Sequence, residues 1–419
     1  MFSSALPTFA RAASRKAFAA GAVLTLAAVT AGCSGESGDA DGGDIVIGFA
    51  LSQSGNMAPF DVEPGNAALL HIEEINADGG IDGRQISVVS KDVRSDPDTV
   101  GTAATELIAE GIDLLVTPCD FDLSAPGAAV AQAAEVPAIS ICAGDPKMAD
   151  TTTLGDYVFS ANAGSDVEGT TGASWAFEQG WTSAYLLQDE SIEYTKSAGR
   201  YFQAAFEELG GEIVGNDAFP GGDNVNISSQ ASRLKGLDEA PDFVYVASWN
   251  PGGATAIRQL REAGVEVPVV GPAALDGQVL LDIVGDDASG VYYTAFACYV
   301  YCSGADNAEL DAFVEGYAAE HGSEPASSYA LLGYNMIAAV ADALSRADST
   351  SGADLLAALE EDSSVTTPIG DVQYFSESCH KIIDMPMTVI EVADGAMSFV
   401  GQQRVETVPD LGDGNACAA

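Results

Sequence analysis

The sequence predicts an α/β protein of two similar units in series, each a mainly parallel sheet with helices on both faces. Three observations indicate this fold class. Short apolar runs rich in β-branched residues alternate with longer alanine-rich amphipathic stretches. The same alternation starts again after Asn162, and 419 residues exceed the usual length of one domain. Continuous apolar strands that alternate with helices are typical of parallel sheets buried on both faces.

In the first unit, the segment 65–76 places Ala68, Leu69, Ile72 and Ile75 on one helical face. Two glycines at 79 and 80 then permit the left-handed turn that ends a helix, and Pro97 is suited to the first turn of the next helix. The predicted strands are 44–51, 86–89, 113–117, 138–141 and 156–162, and the predicted helices are 65–76, 99–110 and 128–134.

The second unit repeats this pattern, and a late helical region follows it. The predicted strands are 183–187, 212–214, 243–247, 267–271 and 290–294, and the predicted helices are 168–179, 197–209, 229–236 and 254–263. Helices at 308–321, 327–346 and 353–360 and strands at 372–375 and 387–392 complete the two units.

The first 32 residues have the features of a signal peptide. Arg11, Arg15 and Lys16 precede an apolar run at 17–29, which is shorter than the about 20 residues of a membrane span. The run ends in Thr-Ala-Gly-Cys33, which resembles the lipobox of bacterial lipoproteins and implies that Cys33 carries a lipid anchor. Residues 33–43 are a polar, glycine-rich tether. We therefore expect a protein anchored in the cell membrane on its extracytoplasmic face, exported by the Sec or the twin-arginine route.

Lipidation of Cys33 leaves six cysteines, and an extracytoplasmic compartment permits disulfide bonds. Cys119 and Cys142 follow strands that are expected to be neighbours, so we predict a bond between them. The other four allow three pairings, of which we favour Cys298–Cys302, a tight loop, and Cys379–Cys417, which would tie down the C-terminal tail. No metal site is predicted, because no second Cys/His pair has ligand spacing.

Charge and motifs exclude several classes of function. The chain has 62 acidic and 16 basic residues, a formal net charge of −46, whereas nucleic-acid binding needs a basic surface. It has no G-x-S-x-G, no Walker loop, no H-E-x-x-H and no G-x-G-x-x-G after the first strand. Its three histidines are scattered. These features favour a binding protein without a cofactor over an enzyme.

Two segments read NAALLHIEEINADGGIDGR at 66–84 and KDVRSDP at 91–97. They resemble the leucine/isoleucine/valine-binding family of ABC-transporter receptors, and weaker matches follow in family order at 135–140, 208–214, 241–244, 261–264 and 327–344. The resemblance implies a two-lobed type I periplasmic-binding fold that closes on its ligand by hinge bending. Three hinge crossings are expected near 161–164, 294–297 and 364–368. Lobe one would then comprise 44–163 and 296–366, and lobe two 164–295 and 367–419.

Loops beyond the carboxyl ends of the strands nominate the binding site, because ligands bind there in open α/β sheets. From the loops of the first unit the candidates are Ser52, Ser54, Asp120, Phe121, Asp122, Ala143 and Gly144. From those of the second unit and the segment after it they are Tyr194, Trp249, Asp276 and Phe296.

The resemblance implies an amino-acid ligand, with Tyr194 and Asp276 at family positions and Asp276 paired with the ligand ammonium. Asp120 and Asp122, however, stand where the family has serines that hold the ligand carboxylate, and two acids repel a carboxylate. Asp122 would alternatively cap a helix and face water. The predicted cage, made of Phe121, Tyr194, Trp249 and Phe296, would suit an amine or quaternary ammonium instead.

The predicted function is therefore capture of a small polar ligand, an amino acid or a related amine, and its delivery to the permease subunits of an ABC importer. Two other classes of protein stay open at this point. One is a ligand-sensing receptor lobe for a signalling partner, and the other is an exported enzyme.

Overall fold

The first of two sheets consists of β1 (Ile45–Leu51), β2 (Ile86–Asp92), β3 (Leu114–Thr117), β4 (Ala138–Ser140) and β5 (Val158–Ser160). In this computed structural model the five strands are parallel, in the order β2-β1-β3-β4-β5. Every residue of β3 and β4 is buried, as expected for strands covered on both faces.

The structure describes residues 43–222, 224–299, 302–304, 306–412, 415 and 417. The predicted signal peptide, Cys33 and almost all of the tether lie outside the described residues. The described residues from Gly43 onward belong to one compact unit. Within them, no helix is both long and apolar enough to span a membrane.

The second sheet is mixed. Its strands are β6 (Ser183–Asp189), β7 (Glu212–Phe219), β8 (Phe243–Ala247), β9 (Val269–Gly271), β10 (Val291–Ala295), β11 (Cys302–Ser303), β14 (Met387–Ala393) and β15 (Ala396–Gln403). The order is β11-β15-β14-β10-β9-β8-β6-β7. Strands β6 to β10 are parallel, whereas β14 pairs antiparallel with both β10 and β15. Two further strands, β12 (Ser364–Thr367) and β13 (Gly370–Gln373), form a separate hairpin.

Twelve α-helices lie in the described ranges. They are α1 (Ala58–Ala77), α2 (Pro97–Glu110), α3 (Phe121–Ala134), α4 (Thr151–Leu154), α5 (Ser165–Glu178), α6 (Glu193–Glu208), α7 (Ser228–Lys235), α8 (Gly252–Glu262), α9 (Gln278–Val284), α10 (Ala308–His321), α11 (Ala330–Arg346) and α12 (Gly352–Glu360). Short 3-10 helices span Pro146–Ala149, Ala273–Leu275 and Gly285–Ala288. The predicted α/β fold class is thus confirmed.

Two helices begin earlier than predicted. Helix α1 begins at Ala58 rather than at residue 65, and it continues through Pro64. Helix α3 begins at Phe121 rather than at residue 128, and it contains Pro126. A proline inside a helix removes one backbone hydrogen bond, but packing of the helix on the sheet can offset that loss.

The chain passes from the first sheet to the second after β5, and β11, which follows β10, still belongs to the second sheet. Residues 364–368, where the third crossing is predicted, belong to the β12–β13 hairpin, which contacts α11. A turn through Gly370, whose φ is 98°, closes this hairpin. The chain joins the second sheet only at Met387. Strand β15 and helix α9 were not predicted.

All three predicted disulfide bonds are present. They are Cys119–Cys142, Cys298–Cys302 and Cys379–Cys417, with Cα–Cα distances of 4.4, 5.4 and 5.0 Å. The first bond joins the loops that follow the neighbouring strands β3 and β4. The third fastens Cys417 to the segment that precedes β14.

Candidate functional site

A small cavity of about 20 Å³ lies between the carboxyl ends of strands of the two sheets. It is lined by residues that follow β1, β3 and β4 of the first sheet, by residues that follow β6, β8 and β9 of the second, and by one residue next to α11. These residues are Met57, Phe60, Cys119, Asp120, Cys142, Gly144, Ile192, Tyr194, Trp249, Ala274 and Tyr329. The position agrees with the general location of ligands in open α/β sheets.

Four aromatic side chains dominate the wall of the cavity. The ring centroid of Phe60 lies 5.2 Å from that of Tyr329, edge to face, and 5.9 Å from that of Trp249. Tyr194 is the fourth ring, and its exposed fraction is only 6%. Phe60 and Tyr329 adjoin elements of the first sheet, whereas Tyr194 and Trp249 follow strands of the second. The aromatic wall is therefore made of residues from both sheets' surroundings.

Asp120 is the one carboxylate that lines the cavity within the described part of the chain, and it is 3% exposed. Its Oδ1 accepts a 3.0 Å hydrogen bond from the Leu123 backbone N–H and so caps α3. Its Oδ2 is buried and has no hydrogen-bond partner among the described residues. Burial, helped by the nearby Asp122, raises the pKa of Asp120 to about 7.

Behind the aromatic wall, Glu168 fixes the position of Tyr194. Glu168 is fully buried, and its Oε2 accepts hydrogen bonds from the Tyr194 hydroxyl at 2.5 Å and from the Ala273 backbone N–H at 2.9 Å. Burial raises the pKa of Glu168 to about 7. Its Oε1 has no hydrogen-bond partner among the residues that the structure describes.

Asp61 connects two of the loops around the cavity. Its side chain is fully buried and accepts hydrogen bonds from the backbone N–H groups of Ser52 and Cys119, both at 2.7 Å. Burial raises the pKa of Asp61 to about 7, against the effect of these two bonds. Asp61 thus fixes the loop after β1 relative to the loop after β3.

Elements of the two sheets also touch at the edge of the cavity. The Glu193 backbone N–H donates to Asp122 Oδ2 at 3.0 Å, and the Glu193 carboxylate pairs with Lys147 and Lys196. The hydrogen bond from Lys147, followed by that from Lys196, lowers the pKa of Glu193 to about 2. A further hydrogen bond runs from the Ser328 backbone N–H to Asp276 at 2.7 Å. The cavity is therefore bordered by polar contacts between the two halves.

Four of the predicted site residues line the cavity, namely Asp120, Gly144, Tyr194 and Trp249. The other seven lie outside the lining; they are Ser52, Ser54, Phe121, Asp122, Ala143, Asp276 and Phe296.

Each acidic or polar member of the second group has another role. Asp276 accepts a hydrogen bond from the Ser328 N–H and does not line the cavity. The carboxylate that lines the cavity is that of Asp120. Asp122 is exposed and accepts the Glu193 N–H at the start of α6, whereas Asp120 is the residue that caps α3. Ser54 is exposed and donates to Asp92, whereas Ser52 is buried beside Asp61.

The predicted aromatic cage needs correction in two members. Phe296 has no exposed surface and packs edge to face against Tyr329, which takes its place at the cavity. Phe121 lies below the Lys147 ammonium, 5.7 Å from it, and Phe60 lines the cavity instead. Ala143 is also buried, and its N–H donates to Ser140.

Four important site residues were missed by the sequence reasoning, namely Met57, Phe60, Glu168 and Tyr329. Met57 and Phe60 lie at the start of α1, before the helix that was predicted at 65–76. Tyr329 precedes α11, far along the chain from the strand-end loops. Glu168 carries no local signal, since a glutamate in the first turn of a helix is common. A search for acids at predicted buried helical positions could have found it.

Within the described residues, no group of three or more His, Cys, Asp or Glu side chains is arranged to hold a metal ion. The cavity therefore offers aromatic faces and one carboxylate for contact with an organic molecule.

Comparison with known proteins identifies similar chains. A family model described as periplasmic binding protein matches residues 44–396. The chain is 25% identical over 333 residues to the Leu/Ile/Val-binding protein BraC3 of Rhizobium johnstonii, covering 79% of this chain and 87% of that protein. It is 24% identical over 252 residues to the Leu/Ile/Val-binding protein of Escherichia coli K12, covering 60% of this chain and 67% of that protein.

Solved structures are similar over most of the chain. The branched-chain amino acid transporter substrate binding protein LivJ from Streptococcus pneumoniae, in complex with isoleucine, has a TM-score of 0.74 and 26% identity, covering 87% of this chain and 100% of that one. A solute binding protein of an ABC transporter from Rhodopseudomonas palustris, in complex with 3,4-dihydroxy benzoic acid, has a TM-score of 0.73. At 23% identity, with 88% of this chain and 99% of that one covered, this second likeness shows the fold alone.

Proposed function

The chain belongs to the periplasmic binding protein family, and from this premise we propose that it captures a small organic ligand carrying an amine and delivers it to the permease of an ABC importer. One observation supports the amine above all others. The cavity at the strand ends contains a single carboxylate, Asp120, with an unpartnered oxygen among the described residues. A ligand ammonium would pair with that oxygen between the two halves of the protein.

Similar proteins suggest an amino acid as the first ligand to test. Two are named for leucine, isoleucine and valine, and LivJ was solved with isoleucine. A small apolar side chain would fit the aromatic wall of Phe60, Tyr194, Trp249 and Tyr329. Binding rather than catalysis is the role that we propose, in keeping with the family.

The two halves that close on the ligand are the proposed lobes. Lobe one would contain the first sheet together with α10, α11 and α12, because α10 and α11 contact α1, and α12 contacts α11. Lobe two would contain the second sheet and helices α5 to α9. The C-terminal segment beyond the hairpin would belong to lobe two from Met387.

Family members act outside the cytoplasm, and the three disulfide bonds suit that compartment. We further propose that a lipid on Cys33 holds the protein at the membrane, where the permease resides. Two or three acyl chains are enough for stable anchoring. Mass spectrometry of the N-terminal peptide would check this, and an unmodified Cys33 in protein from its native host would contradict it.

Native mass spectrometry of protein purified without denaturation tests the proposed function directly. We expect an added mass of one small nitrogen-containing molecule, lost when the protein is unfolded and refolded by dialysis. The refolded protein should then be stabilised in thermal unfolding by at least one member of a panel of amino acids and amines. If no ligand co-purifies and no member of the panel raises the melting temperature, the proposal is wrong.

A further inference from the structure

We propose that the ligand is an organic cation without a carboxylate, either a small amine or a quaternary ammonium compound. This inference rests on the proposed function and narrows it to one class of ligand. It follows from a comparison of the hydrogen-bonding groups around the cavity that are bonded within the protein with those that have no partner among the described residues.

Several donors near the cavity that could hold a ligand carboxylate are engaged within the protein. In the loops after β3 and β4, the Cys119 N–H donates to Asp61 and the Ala143 N–H to Ser140. The hydroxyls of Ser124 and Ser140 donate to the backbone oxygen of Pro118 at 2.8 and 2.6 Å, and the Ser160 hydroxyl donates to Ala143 O at 2.6 Å.

The polar hydrogens of the aromatic wall are also committed. The Tyr194 hydroxyl donates to Glu168, and the Trp249 ring N–H donates to the Ser191 hydroxyl at 3.1 Å. A ligand acceptor group that used one of these donors would have to break its internal bond. Exchange of a buried hydrogen bond for another gives little net affinity.

One lining residue, Asp120, has an oxygen that is still able to accept a hydrogen bond. Asp120 Oδ2 lacks a hydrogen-bond partner among the described residues, although the residue is only 3% exposed to solvent. A buried polar atom of this kind costs free energy until a donor satisfies it. A protonated amine supplies both the donor and the opposite charge, a quaternary ammonium supplies the opposite charge alone, and a carboxylate supplies neither.

The remaining surface of the cavity suits the same class of ligand. The faces of aromatic rings attract cations, most strongly those of tryptophan and tyrosine. Among the residues that line the cavity in the described part of the chain, none is Lys, Arg or His. The nearby Lys147 is paired with Glu193 and lies over Phe121. A ligand anion would thus be buried close to Asp120 without a compensating cation.

A matched pair of ligands separates this inference from the proposed function. L-leucine and 3-methylbutylamine have the same branched side chain and amine, but only leucine has a carboxylate. We expect isothermal titration calorimetry on the full, disulfide-bonded, ligand-free protein to show at least about 10-fold tighter binding of 3-methylbutylamine, since that factor corresponds to one repulsive contact of about 1.4 kcal/mol. Choline and tetramethylammonium should also bind, and benzoate should not.

The results have distinct meanings. Equal or tighter binding of leucine would overturn the inference and leave the proposed function intact. If benzoate alone binds, the inference is wrong, and so is the proposal that the ligand carries an amine. If none of these compounds binds and no other amine or amino acid stabilises the protein, both proposals are wrong.

A pair of variants tests the part played by Asp120. Asp120→Asn keeps a side-chain oxygen to cap α3 but removes the charge, because asparagine caps helices as well as aspartate. Binding of 3-methylbutylamine should weaken at least about 10-fold in this variant. Asp96→Asn is the matched control, because Asp96 caps α2 through Thr99, is exposed and does not line the cavity. Unchanged affinity in Asp120→Asn, or an equal loss in both variants, would overturn the inference.

Discussion

At the scale of single residues, three buried carboxyl groups organise the surroundings of the cavity. Asp61 holds two loops, Glu168 holds Tyr194, and Asp120 lines the cavity. Burial raises the pKa of each to about 7. Protons are therefore bound more tightly in the folded protein than in the unfolded chain, which makes stability depend on pH.

The two hydrogen bonds of Asp61 lead to a prediction about stability. Asp61→Asn retains only one acceptor oxygen, so the N–H of Ser52 or Cys119 loses its partner. We expect the free energy of unfolding in urea to fall by about 1–3 kcal/mol at pH 5, below the raised pKa of Asp61, where its ionisation in the folded protein does not oppose this loss. Asp113→Asn is the control, since Asp113 accepts one backbone N–H, from Val46, and asparagine can still accept it. A loss of equal size in the control would show that the second bond of Asp61 contributes nothing.

Glu168 allows the effect of pH to be isolated. Because its pKa is raised from 4.5 to about 7, the stability linked to its protonation is fully present below about pH 4.5 and is lost as the pH rises to about 7. Glu168→Gln keeps an oxygen for Tyr194 and Ala273 but cannot ionise. Relative to wild type, this variant should gain about 1–3 kcal/mol in unfolding free energy between pH 5 and pH 8.

Urea unfolding at several pH values measures this difference. Glu73→Gln, at an exposed position of α1, should show no comparable change. A difference between wild type and Glu168→Gln that stays constant from pH 5 to pH 8 would contradict the raised pKa.

At the scale of elements, the contact of α1 with α11 is close enough to exclude a side chain. A Cβ atom added to Gly333 would lie 1.9 Å from the backbone oxygen of Pro64. This oxygen belongs to the backbone of α1, so it cannot turn away as a side chain could. Glycine at 333 thus permits the two helices to approach, and Phe60 on α1 and Tyr329 beside α11 are brought together at the cavity.

Gly333→Ala should therefore separate these helices and lower the melting temperature, at a cost of about 1–3 kcal/mol in unfolding free energy. Gly316→Ala is a matched control in α10, which also packs on α1, because its added Cβ would be 3.8 Å from the nearest atom, a Leu70 methyl. Alanine there should be neutral or stabilise by up to about 1 kcal/mol, because it favours helix more than glycine does. Destabilisation by Gly316→Ala as large as that by Gly333→Ala would rule out the close contact as the cause.

At the scale of the whole molecule, the net charge of −46 opposes folding through mutual repulsion. Salt screens exposed charges, and the Debye length falls from about 10 Å at 0.1 M to about 3 Å at 1 M. The melting temperature should accordingly rise between about 0.1 M and about 1 M NaCl. KCl at equal ionic strength should give the same rise, and an effect confined to one cation would point to specific ion binding instead.

The sequence by itself determined the parts that depend on local patterns. Apolar periodicity predicted the five strands of the first sheet and six of the eight described strands of the second. Strand-end loops nominated Asp120, Gly144, Tyr194 and Trp249, which line the cavity. The three disulfide pairings were also predicted, the first from neighbouring strands, the second from its tight loop and the third because it would tie down the C-terminal tail. The β12–β13 hairpin and the early starts of α1 and α3 were not, since proline and glycine signals there allow more than one local structure.

Only the tertiary structure decided which side chains share the cavity. Phe60 and Tyr329 are 269 positions apart in the numbering, and nothing local indicates that their rings meet. Asp120 and Asp122 are two residues apart, yet one lines the cavity and the other binds the Glu193 N–H across its edge. The physical reason is that a local pattern fixes the direction of a side chain within its element, whereas the packing of whole elements fixes what that side chain faces.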